Sequence, residues 1–108
     1  MFLVNFDPSV GSEIQKTRPA LIIQNDIANC YSPITIVAAI TSFDGGKHYP
    51  TEVPLPAPEG GLEHPSVVLL NQLRSIDTQR LVRKLGSLSD KRIEEVATAL
   101  SISLGLTG

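Results

Sequence analysis

Arg18 has the most chemistry to offer of any residue in this chain. It stands with Pro19 between a polar, Gly-bearing stretch, Gly11 to Thr17, and a short apolar run, Ala20 to Ile23. Pro19 has no N–H to donate, which suits the first residue of a strand, and it biases Arg18 toward an extended backbone. A permanently protonated, two-pronged donor is thus held at a strand mouth beside a loop, and an anion is its natural ligand. Surface pairing with Glu13 or Asp26 is the plainer use of the same side chain. Thr41-Ser42 closes a buried strand. If the strands form a barrel, a guanidinium and a hydroxyl meet at one mouth and can hold one phosphate between them. Capping of the following turn is the simpler role for those hydroxyls. Asn71-Gln72-Leu73-Arg74 interrupts an otherwise apolar segment. Polar groups there must be hydrogen-bonded or face outward, on the sheet's solvent side or toward a base.

Other reactive residues are less organised. His48 and His64 both fall in loops, and each can act as an acid or base near neutral pH, but nothing in the sequence pairs them. Glu13, Glu52, Glu63 and Asp77 are dispersed and give no two-carboxylate site. Ser12 and Ser66 lack the strand–turn–helix setting of an activated nucleophile. The single cysteine, Cys30, excludes an internal disulfide, and no Cys/His cluster is present. No metal and no cofactor is therefore expected.

The elements that must position these residues are mostly strands. Phe2–Phe6 is a strand ended by Asp7-Pro8, and 7–17 is a long loop. Ala20–Ile23 is the second strand, and 25–33 is a loop. Ile34–Ile40 is β-branched and apolar, as in a strand buried on both faces. Phe43 to Tyr49, with Gly45-Gly46, is a turn. Prolines demote Thr51–Leu55 to an edge strand, and 57–65 is a loop. Ser66–Ile76 is the longest strand. Asp77 caps a helical turn over 78–81, and Val82–Leu85 is a last short strand. Ser89 then caps a helix with Asp90 in its first turn. Ile93, Val96, Ala97, Leu100 and Leu104 supply one apolar face, and Gly105 stops it. This order predicts a mainly β fold with a C-terminal α-helix: a small barrel closed by strand pairing and covered on one side by the helix.

The chain has 108 residues, which fits one domain spanning 1–108. Hydrophobic content of 42% is enough for a core without staples. The formal charge of −2 argues against a general nucleic-acid binder and leaves room for a local basic patch. The single cysteine fits a reducing cytoplasm, no apolar run approaches a membrane span, and no charged-then-apolar leader is expected.

Taken in order, these stretches resemble the MazF/PemK (Kid) family of toxin endoribonucleases of type II toxin–antitoxin systems. The matching pieces are Asp7-Pro8-Ser9-Val10-Gly11-Ser12-Glu13, Thr17-Arg18-Pro19-Ala20-Leu21-Ile22-Ile23-Gln24-Asn25-Asp26, Ile36-Val37-Ala38-Ala39-Ile40-Thr41-Ser42 and Gln72-Leu73-Arg74-Ser75-Ile76-Asp77. Arg80-Leu81 and the Ala99-Leu100 helix follow in the family's order. The resemblance implies an SH3-like small β-barrel of the CcdB/PemK kind that forms a homodimer. It implies metal-independent cleavage of single-stranded RNA at short motifs, an mRNA interferase activity leaving 5′-OH ends. It also implies a MazE-like cognate antitoxin that blocks the site; the net charge of −2 argues against a purely electrostatic clamp, so an extended segment with apolar anchors is expected. The family's catalytic pair maps onto Arg18 and Thr41. Its RNA-contacting positions map onto Ser12, Glu13, Ile14 and Gln15, and onto Ser42, Asn71 and Gln72.

The sequence departs from the family in two places. Members usually carry a basic-Gly-acidic run before the first strand, whereas this chain starts inside that strand, so any role of that run is expected to be either lost or trimmed from this sequence. Many relatives carry a carboxylate where Asn71 stands, so a mechanism using it as a base is closed here and the weight falls on Arg18 and Thr41. Arg18 suits charge stabilisation and proton donation but is a poor base, because a guanidinium stays protonated. The base is then another residue, such as His48 or Glu13, or geometry alone suffices. Two other functions are compatible with the fold: a non-catalytic, CcdB-like toxin that binds DNA gyrase, and an inactive, N-terminally shortened homologue.

Overall fold

The computed structural model describes residues 1–6, 17–24 and 30–106. Within them, six strands form one antiparallel sheet: β1 (Phe2–Asn5), β2 (Thr17–Ile22), β3 (Ile34–Ser42), β4 (Glu52–Leu55), β5 (Ser66–Asp77) and β6 (Leu81–Lys84), in the order β4-β5-β3-β2-β1-β6. A helix, α1 (Asp90–Leu104), follows. The mainly β class with a C-terminal helix is borne out, and the proline-rich β4 is an edge strand as its sequence requires.

β3 is the axis of the sheet. It pairs with β2 on one side and β5 on the other. Its adjacent residues Val37 and Ala38 face opposite ways, yet both are buried, because the bent sheet has a core on each side. The larger core gathers Leu55, Val68 and Leu70 beneath the helix residues Val96 and Ala99. The smaller one joins Val4, Ala20, Val37 and Ile76. The bend has a local cause in β5. Its pairing with β3 jumps from Leu69, opposite Ala39, to Leu73, opposite Ala38. Leu70, Asn71 and Gln72 are thus left out of that ladder. Such a bulge bends a strand and re-aims its side chains. Leu70 is fully buried while Asn71 and Gln72 are exposed.

The two sheet edges are brought together, though not by a strand ladder. Among the described residues β4 and β6 do not pair. A 3-10 turn, Glu59–Gly61, packs against Leu85-Gly86 just beyond β6. A Cβ placed on Gly61 would lie 2.6 Å from the Leu85 carbonyl carbon and closer still to its oxygen. The Glu59 carboxylate also accepts a hydrogen bond from the Ser89 N–H at 2.8 Å, tying this turn to the start of the helix.

Both helix ends are as the sequence predicts. The Ser89 hydroxyl accepts from the Arg92 N–H, and Gly105 takes the left-handed conformation at φ 70°. The buried stripe matches the predicted one only in part, at Val96 and Leu100. Val96 and Ala99 are buried and Leu100 packs against the core, whereas Ile93, Ala97 and Leu104 are exposed. Apolar residues occupy two neighbouring stripes of this helix, and the one with Ala99 at its centre lies against β4 and β5. The turn after Asp77 is also as read: its carboxylate accepts from the Gln79 N–H at 2.8 Å.

Candidate active site

Arg18 lies within β2, not at its mouth. The strand begins at Thr17 because β1 continues to pair with it, Val4 opposite Arg18 and Leu3 opposite Pro19. The β2–β3 ladder starts only at Ala20, so Pro19 sits beyond its last rung, where the missing N–H costs little. Thr41 and Ser42 likewise belong to β3, opposite Val67 and Ser66, and do not follow it. The consequence is geometric. Ala20 faces Ala39 across β2 and β3. Two residues further along that register, Arg18 comes opposite Thr41. Both are exposed, so guanidinium and hydroxyl are open to a ligand.

These two residues form the waist of a two-part cleft. One cavity, of about 590 Å³, is lined by Arg18 and Thr41 together with Ser42, His64, Arg83 and Lys84. The other, of about 600 Å³, is lined by Arg18 and Thr41 together with Phe6, Gln72, Leu73 and Arg74. Each falls within the range of ligand-binding clefts, roughly 300–1,000 Å³. Among the described residues, four Lys and Arg line this cleft, against one carboxylate, Glu63. An acidic protein therefore carries a locally cationic groove, which focuses attraction on an anionic ligand. Among the described residues none forms an ion pair with Arg18. Its possible partners Glu13 and Asp26 lie outside the described residues, as do Ser12, Ile14 and Gln15.

The two cavities differ in chemistry. The first is cationic and hydroxylic. The second is apolar at its base, with the Arg74 guanidinium 5.3 Å above the Phe6 ring and the Gln72 amide on its wall. A flat ring with a guanidinium beside it suits stacking of a base, and an amide can read a base edge. Asn71 is exposed on the same bulge but does not line either cavity. Among the described residues no group of three or more His, Cys, Asp or Glu is placed to hold a metal ion.

The profile of a family described as "PemK-like, MazF-like toxin of type II toxin-antitoxin system" matches residues 1–104. The chain belongs to that family. It is 46% identical over 106 residues to endoribonuclease EndoA of Bacillus subtilis, covering 98% of this chain and 91% of that protein. It is equally similar, at 46%, to endoribonuclease MazF of Staphylococcus saprophyticus, covering 98% and 88%. Among solved structures, the Mycobacterium tuberculosis toxin MazF-mt6 superposes with a TM-score of 0.81 at 27% identity, over 99% of this chain and 97% of that one. A MazE–MazF structure from Deinococcus radiodurans superposes at 0.77 with 32% identity, over 98% and 92%. The barrel-type fold with a C-terminal helix is thus that of the MazF toxins.

In this PemK/MazF-like fold, the structure brings together Arg18, Thr41, Ser42 and Gln72 among the residues singled out from sequence. It separates His48, which lines a groove between β4 and the helix with Lys91 and Glu94. Sequence reasoning named His64 as an acid or base without placing it at this site, and it missed Arg83 and Lys84 in the first cavity and Phe6 in the second. Nothing in the sequence marked His64 over His48, and its place follows from the sheet pairing. It lies two residues before Ser66, where β5 begins opposite the end of β3.

Proposed function

We propose that this chain is a sequence-specific, metal-independent endoribonuclease toxin that cleaves single-stranded RNA, with Arg18 and Thr41 at the scissile phosphate. The observation that supports this most is their shared position at the waist of a cationic two-part cleft. The ribose 2′-oxygen attacks the adjacent phosphorus and loses its proton. The O2′–P bond forms, the P–O5′ bond breaks, and O5′ takes up a proton. The products are a 2′,3′-cyclic phosphate and a 5′-OH end. Arg18 binds the crowded, charged phosphorane through two N–H donors, and Thr41 orients the phosphate through its hydroxyl. Ser42 extends the phosphate contacts, and Gln72, Arg74 and Phe6 hold a neighbouring base. Ser12, Glu13, Ile14 and Gln15 complete the RNA contacts from the segment that links β1 to β2 in sequence, and Asn71 contributes from the β5 bulge.

The protein works as a homodimer in the cytoplasm. No described helix is long and apolar enough to cross a membrane. A MazE-like antitoxin silences it by laying an extended segment with apolar anchors over the cleft, in competition with RNA. The gyrase-binding alternative is not favoured, because the matching family and the relatives at 46% identity are of the PemK and MazF kind. The test is incubation with a long single-stranded RNA in EDTA. Discrete fragments with 5′-OH ends are expected, and RNA left intact across several buffers overturns the proposal.

A further inference from the structure

The reaction proposed above needs a group that accepts the 2′-OH proton, and neither member of the Arg18–Thr41 pair is one. A guanidinium stays protonated, a hydroxyl is a feeble base, and the Asn71 amide has no basic site. The chain has two histidines. His48 is set apart in the groove between β4 and α1, with its ring edge-on to Phe43 at 6.2 Å. His64 lines the same cavity as Arg18 and Thr41 and is exposed there.

Its placement is built into the sheet. The rung Ser42–Ser66 ends the β3–β5 ladder. Beyond it, the Phe43 N–H donates to the Pro65 carbonyl at 3.2 Å, and the Ser66 hydroxyl donates to the His64 carbonyl at 2.9 Å. The turn carrying the imidazole is thereby held beside the strand end that presents Thr41.

We propose that His64 is the general base of the cleavage. This rests on the ribonuclease reading. A neutral imidazole nitrogen takes the 2′-OH proton as the O2′–P bond forms, O5′ leaves with a proton from water in the open cleft, and the imidazolium returns its proton to solvent. The charged groups facing it are Arg18 from β2, Arg83 and Lys84 from β6, and Glu63 on its own turn. Glu63 is the other described base in the cavity, but near neutral pH a carboxylate is a weaker base than an imidazole.

The test is single-turnover cleavage of one RNA substrate across roughly pH 5 to 9, the range in which an imidazole titrates. Wild type, His64→Ala, His64→Gln, His48→Ala and Glu13→Gln are compared as full chains. Wild-type and His48→Ala rates are expected to rise with pH and level off. Both His64 variants should lose that rise and fall by about 10²- to 10⁴-fold at neutral pH. Added imidazole should restore part of the His64→Ala rate. An unchanged His64→Ala rate overturns the proposal. So does a lowered rate that keeps the wild-type rise, since that marks a structural role. Loss of the rise in Glu13→Gln alone moves the base to Glu13. A wild-type protein that cleaves no RNA overturns the ribonuclease reading itself, and this assignment with it.

Discussion

Replacing Gly61 by Ala tests how the sheet is closed, and Gly105→Ala is its internal control. Both glycines have positive φ, 80° and 70°. A left-handed non-glycine residue costs about 1–2 kcal/mol, and both variants carry that cost. Only Gly61 meets a neighbour. Its new Cβ would press on the Leu85 peptide, whereas nothing lies within 4 Å of a Cβ on Gly105. The obstacle is backbone and cannot rotate aside, so a further penalty of about 1–3 kcal/mol, typical of overpacking, applies at Gly61. At about 4 °C per kcal/mol for a domain of this size, Gly105→Ala should lower Tm by about 4–8 °C and Gly61→Ala by about 8–20 °C. Thermal melts followed by far-UV circular dichroism measure both. Well below its melting range, Gly61→Ala should also cleave RNA more slowly, because Gly61, Lys84 and Leu85 wall the first cavity. Equal melting of the two variants would refute closure of the sheet through this turn.

The site and the turn beside it yield two more expectations. Thr41→Ala should slow cleavage by about 10- to 100-fold, the worth of one hydrogen bond to a charged group, while Thr41→Ser keeps most of the rate. Single-turnover kinetics check this, and a larger loss than that of Arg18→Ala would contradict an orienting role. The hydrogen bond from the Ser89 N–H, followed by its hydroxyl and Arg92, holds the Glu59 carboxyl below the ordinary glutamate range, against a smaller opposing effect of burial. A depressed folded pKa stabilises the fold above the unfolded value of about 4.3, and that stabilisation is lost as pH falls through the folded value. Glu59→Ala should therefore melt below wild type at neutral pH, with the gap closing in acid. A gap that widens in acid would contradict the sign.

The strand order along the chain was legible because local chemistry announced it. Prolines marked β4 as an edge, β-branched residues marked β3, and Asp77, Ser89 and Gly105 marked their caps. The polar interruption at Asn71-Gln72 pointed to an outward excursion, and the β5 bulge is its structural form. What escaped sequence depends on pairing over long separations. The extension of β2 to Thr17 is imposed by β1, and the meeting of Gly61 with Leu85 by the curl of the sheet. Two apolar stripes of similar strength overlap at Val96 and Leu100 along α1, so periodicity could not choose between Ala99 on one flank and Ile93, Ala97 and Leu104 on the other. His48 and His64 are equivalent in sequence, since each is a loop histidine. Only the Ser42–Ser66 rung distinguishes them.

The most direct measurement is single-turnover cleavage of one single-stranded RNA in EDTA by wild type, Arg18→Ala and Arg18→Lys. Arg18 is exposed beside the cleft and outside both cores, so each variant should keep a near-wild-type spectrum and melt. Wild type should produce discrete 5′-OH fragments. Arg18→Ala should lose on the order of 100- to 1000-fold in rate, the typical cost of removing one strong transition-state donor. Arg18→Lys should recover little, because an ammonium keeps the charge but not the two-pronged geometry. Wild-type rates from Arg18→Ala would remove Arg18 from the mechanism and contradict the account.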